Sequence, residues 1–82
     1  MDITRGTHVT NGQRDYVCTH DVTNQYGRIL SFIQIRRNAD GVWYEFGPCA
    51  RRLRAETITV IRTGLMPVFD RVTRKNMWTI AL

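Results

Sequence analysis

The sequence predicts a mainly β protein, a small barrel-like or two-layer antiparallel sheet with one short helix around residues 48–56. Three observations predict it. The dominant apolar period is two rather than 3.6, the apolar runs are rich in β-branched and aromatic residues, and turn signals recur at intervals of about ten residues. The 82 residues are one domain's worth of chain, 1–82. A chain this small buries roughly 60–65% of its unfolded surface, so its core is limited.

At the amino-terminal end, residues 8–10 and 13–18 flank Asn11-Gly12, the strongest short hairpin signal, and read as two strands joined by a type I′ turn. Val9-Thr10-Asn11-Gly12 is faintly echoed by Val22-Thr23-Asn24-Gln25. Two copies are too few for a stacked repeat, so the echo reads as one turn chemistry used twice. Residues 28–36 form the best strand, with Ile29, Ser31, Ile33 and Ile35 on one face and Leu30, Phe32 and Gln34 on the other. Asp40-Gly41 supplies the turn into residues 42–46, which makes a hairpin over 28–46. Trp43 and Glu45 then share one side of the second strand, with Val42, Tyr44 and Phe46 on the apolar side.

Gly47-Pro48 stops that strand, because proline cannot donate to a ladder and suits the first turn of a helix. Residues 49–55 are good helix formers long enough for about two turns. With Leu53 inward, Arg51, Arg52 and Arg54 fan across the outer arc. Residues 57–62 alternate again, with Ile58 and Val60 facing one way, and Thr63-Gly64 is a turn. Residues 65–73 carry Pro67 and suit an edge strand or a strand that begins after the proline. A turn at 74–76 leads to an apolar terminal strand, 77–82. Such a strand either closes its own sheet or pairs with a second copy, so a homodimer through Met77 to Leu82 is one expectation.

The formal charge is +5, and eleven of the twelve basic residues are arginine. Arginine's planar fork grips phosphate or carboxylate bidentately and stacks on rings. That suits a nucleic-acid or acidic-protein surface, while codon bias in a GC-rich gene accounts for the same composition without any ligand. The sign of the charge excludes a protein that mimics nucleic acid. The densest cluster, Arg51, Arg52 and Arg54, is the candidate phosphate site, and Arg36, Arg37 and Trp43 at the 28–46 hairpin are a second contact. The bland alternatives are a solvated charged face and a tryptophan that fills the core.

Chemistry beyond binding finds little support. Cys18, His20, Cys49 and His8 are conceivable zinc ligands, but no pair has the close spacing of a structural site. His8 and His20 with Asp15 and Asp21 are residues a metal-free phosphodiesterase uses, yet no spacing makes them converge. Nucleophile elbow, phosphate-cradling glycine loop, zincin and dinucleotide motifs do not occur. No run of about 18 apolar residues and no secretory leader is found, so the expected setting is the cytoplasm, without membrane contact and with both cysteines as buried free thiols. The sequence thus predicts a basic binding module that contacts RNA or DNA phosphates with little base readout, without cofactor, metal or enzymatic activity. The alternative is a phage- or mobile-element-type regulator or inhibitor that docks the same arginines on an acidic patch of a larger protein or nucleoprotein complex.

Overall fold

The computed structural model describes residues 3–47 and 50–80. Seven strands form one antiparallel sheet: β1 (His8–Thr10), β2 (Asp15–Asn24), β3 (Gly27–Arg37), β4 (Trp43–Glu45), β5 (Thr59–Arg62), β6 (Leu65–Asp70) and β7 (Lys75–Ile80). Their spatial order is β5-β1-β2-β3-β4-β7-β6. Among the described residues no helix is long and apolar enough to cross a membrane.

Four of the connections are hairpins, and each begins on an Asn or Asp whose side chain accepts from the backbone two residues on, the local bond that favours these residues in turns. Asn11 Oδ1 accepts from Gln13 N and Arg14 N, Asn24 Oδ1 from Tyr26 N, Asn38 Oδ1 from Asp40 N and Val42 N, and Asp70 Oδ1 from Val72 N. The Asn11 and Asn24 motifs are therefore the same turn chemistry in two places. The first hairpin differs from the expected two-residue turn, since Thr10 pairs with Asp15 and four residues lie between them. The Asn11 side chain takes two amides at once, which stabilises the longer loop. The last turn lies at residues 71–74 rather than 74–76, with Arg74 at φ 57.

The sheet is curled. Val17 on β2 and Leu65 on β6 belong to one buried cluster with Ile35 and Trp78. They sit on strands four places apart, which a flat sheet would separate by about 19 Å. The face bearing that cluster is therefore concave. One backbone bond fastens the curl, with Leu65 N donating to Gly6 O at 3.0 Å. A second cluster, Ile3, Val9, Tyr16, Cys18 and Phe32, lies on the convex face of β1–β3, and Leu53, Ile58 and Val60 pack over it. Residues 16–18 of β2 are buried on both sides for this reason.

The expected helical element is a single 3₁₀ turn, Ala55–Thr57. Residues 50–54 are not helical; Arg51 forms an isolated bridge with Phe32, with backbone bonds of 2.7 and 2.6 Å, so the segment continues along β3 beyond β4. The bridge satisfies backbone groups of Phe32 and lays Leu53 over the convex core, a tertiary gain that outweighs local helix preference. Pro48 and Cys49 lie outside the described residues. The 28–46 hairpin forms as β3 and β4, but burial on its second strand is the reverse of expectation. Trp43 and Glu45 do share a side, yet it is the concave one, while Phe46 is exposed and Tyr44 half-buried on the other. Pro67 sits on the edge strand β6, and Ile58 and Val60 face the same core. β7 lies between β4 and β6, so residues 75–80 pair within their own chain, and Ala81 and Leu82 lie outside the described residues.

Candidate functional site

Antiparallel partners point to the same face, so the register assigns each side chain a side. Trp43 is opposite both Arg37 and Trp78, and His8 is opposite Arg62. All five therefore belong to the concave face. At the mouth of the curl, Arg37, Gly41, Val42, Trp43, Arg62 and Trp78 line a cavity of about 210 Å³. Gly41 makes room for the cation: a Cβ there would lie 3.1 Å from Arg37 Nη2. Arg5 does not line the cavity but touches its wall, with its Cζ 5.6 Å from the Trp78 ring centroid, within cation–π range.

Beneath the rim, two carboxylates hold the aromatic wall. Glu45 Oε2 accepts from Trp78 Nε1 at 3.2 Å. Asp15 Oδ2 lies 3.0 Å from His8 Nε2. The His8 ring packs 4.5 Å from that of Trp43, and His8 is only 1% exposed. Among the described residues its Nδ1 meets no hydrogen-bond partner. These contacts fix the indoles, and they occupy Asp15 and Glu45 with groups other than arginine. Among the described residues, Arg28 Nε with Asp21 Oδ1, at 2.7 Å, is the arginine–carboxylate ion pair. The Arg28 guanidinium holds the Asp21 carboxyl below the usual aspartate range, and Arg28 also donates to Ile3 O.

The expected site residues divide among three places. Arg37 and Trp43 belong to the cavity. Arg36, its neighbour on β3, points to the opposite face and lies 3.6 Å over the Phe46 ring. Alternation along a strand makes a joint contact by Arg36 and Arg37 impossible on one face. Arg51, Arg52 and Arg54 are exposed on the extended 50–54 segment, where Arg52 lines a second groove with Arg28, Ile29, Leu30 and Leu53. A larger cleft of about 450 Å³ carries Asp40 and Asp70 beside Lys75, so positive charge does not concentrate there.

Arg62 and Arg5 were not among the expected site residues. For Arg62 a signal existed: it shares strand parity with Ile58 and Val60, so an arginine occupies a core-parity position. A bulge between His8 and Val9 then pairs Val60 with Val9 on the convex side and Arg62 with His8 on the concave side. Nothing local marks Arg5, whose position depends on the closure of Gly6 against Leu65. The groups weighed for catalysis are dispersed. His8 is internal, while His20 is exposed beyond a second bulge at Cys18/His20. Cys18 is a buried free thiol that burial pushes above its usual pKa. Among the described residues, no three His, Cys, Asp or Glu side chains cluster as a metal site requires. No protein-family model, no curated protein and no solved structure matches the chain.

Proposed function

We propose that the chain is a small basic binding module that grips nucleic-acid phosphates with little base readout. The observation that carries this reading is the meeting of Arg37 and Arg62 at one aromatic-walled cavity, with the nearby carboxylates Asp15 and Glu45 engaged by His8 and Trp78. Among the described residues no carboxylate pairs with either guanidinium; groups gathered in this way attract an anion, and phosphate matches their fork. Arg52 in the second groove, with Arg51 and Arg54 beside it, extends the contact along a backbone. Positioning by phosphates carries no sequence information, which accords with a limited base readout. The role is binding, and it needs no cofactor; the separation of His8 from His20 supports no acid–base pair. The free Cys18 thiol accords with a cytoplasmic setting.

The test is titration with a short oligonucleotide at two salt concentrations. Three phosphate contacts on a single strand imply roughly a 20-fold loss of affinity from 50 to 200 mM salt. No binding at low salt refutes the proposal.

A second reading, docking on a protein partner, has its own support. Met66, Val68 and Phe69 on the edge strand β6 are 53%, 50% and 59% exposed, as expected of a surface that pairs with another chain, a second copy included. Recovery of one stoichiometric partner after nuclease treatment favours it over the first.

A further inference from the structure

The cavity at the mouth of the curl has a size and a lining that specify more than a phosphate. Its volume of about 210 Å³ falls below the range of roughly 300–1,000 Å³ that drug-sized ligands fill, so it suits a ligand no larger than about one nucleotide. It is cationic at Arg37 and Arg62 and aromatic at Trp43 and Trp78. Trp78 is 2% exposed and tied through Nε1 to Glu45, which makes it a fixed wall. Trp43 is half-buried, steadied by His8, with part of its ring left to the cavity. Arg62 is exposed at the rim, and Arg37 is placed over Gly41, where even a methyl group would crowd it. A planar, anionic ligand meets each of these features: its ring lies against an indole and its charge meets the two guanidinium groups.

Resting on the nucleic-acid reading above, we infer that the cavity is a single-nucleotide pocket, in which Arg37 and Arg62 hold one phosphate and Trp43 receives the adjoining base. A base inside a duplex is stacked and paired, so it reaches such a pocket only after extrusion, whereas an unpaired base enters freely. The pocket therefore directs the protein to single strands and to strand ends. Recognition through a π-face is tolerant of sequence, which leaves base readout low.

Tryptophan emission tests this directly, because the chain's two tryptophans both line the cavity. The probes are a nucleoside 5′-monophosphate, the same nucleoside, inorganic phosphate, and a twelve-nucleotide single strand compared with its duplex. The expected result is saturable quenching by the monophosphate and the single strand. The monophosphate should bind at least about tenfold more tightly than either the nucleoside or inorganic phosphate. Arg62→Gln should weaken the monophosphate at least about tenfold, with an unchanged thermal melt because Arg62 is exposed. Trp43→Leu, which removes the ring the base would lie against, should weaken the monophosphate at least about fivefold, with Trp78 as the remaining reporter. If the oligonucleotide binds by anisotropy and Arg62→Gln weakens it while emission stays constant for every probe, the nucleotide pocket is refuted and the phosphate-binding reading survives. If no oligonucleotide binds at low salt, both fall. Quenching by a glutamate-rich peptide but not by the monophosphate overturns the inference in favour of a protein ligand.

Discussion

Replacing Gly6 by alanine tests how tightly the curl is closed. Gly6 and Gly12 have nearly the same φ, 90° and 94°. An alanine at either position bears the strain of positive φ, about 1–2 kcal/mol. Their surroundings differ. A Cβ at Gly12 meets nothing within 4 Å, whereas one at Gly6 falls less than 3.0 Å from the Leu65 carbonyl oxygen. That contact forces β6 away from the strand-one side, which costs the Leu65 N to Gly6 O bond, about 1 kcal/mol, and loosens Leu65, which is 4% exposed in the concave core. Partial loss of that leucine's burial adds about 1 kcal/mol. Gly6→Ala should therefore destabilise by about 3–4 kcal/mol, and Gly12→Ala by about 1–2 kcal/mol. Urea unfolding followed by tryptophan emission measures both, and the difference of about 2 kcal/mol isolates the seam from the shared strain. Equal losses at the two glycines would refute the argument that β6 is held against the Gly6 segment.

Phe32→Ala should cost about 3–5 kcal/mol, since Phe32 is fully buried under the 50–58 segment; a urea midpoint shift below about 1 kcal/mol equivalent contradicts the convex core described above. Asn38→Ala removes an acceptor shared by Asp40 N and Val42 N and should lower stability by about 1–2 kcal/mol, with amide exchange at residues 38–42 rising first. For Asp21, a carboxyl held below its unfolded range contributes stability above that range and loses it as the pH falls through the lowered folded value. Acid titration of the melting temperature should accordingly be flatter below about pH 4 in Asp21→Asn, and identical curves argue against the Arg28 pairing. Cys18, whose thiol is buried and pushed up in pKa, should resist alkylation at pH 8 until the protein unfolds, as read by mass spectrometry of its own peptide.

The sheet was legible in the sequence because period-two alternation and turn residues are local signals. Residues 28–36, the Asp40-Gly41 turn, the Ile58/Val60 strand and the edge character around Pro67 all depend on such signals. What escaped depends on distant partners. Whether Trp43 or Tyr44 faces the core is decided by which side of the sheet curls over, and the alternation on β4 is the same either way. Residues 49–55 carry a helical composition, yet the free backbone beside Phe32 recruits Arg51 into an extended bridge. The site was half visible for the same reason. Arg37 and Trp43 were read from one hairpin, but Arg62 reaches them only through a bulge against β1, and Arg5 only through the closure at Gly6. Adjacent arginines in sequence, Arg36 and Arg37, turned out to be on opposite faces, as a strand requires.

The outermost strands β5 and β6 are consecutive in the chain, with only Thr63 and Gly64 between them. The far rims of the ribbon are thus leashed to each other; β6 pairs with its successor β7, whereas β5 finds its partner β1 at the far end of the sequence order. During synthesis β1 has to wait for residue 62 to emerge before it gains its second neighbour. Non-local zipping of this kind places the domain among slow folders, in the millisecond-to-second range rather than microseconds. A nick at Gly64 would turn the clasp into two loose ends.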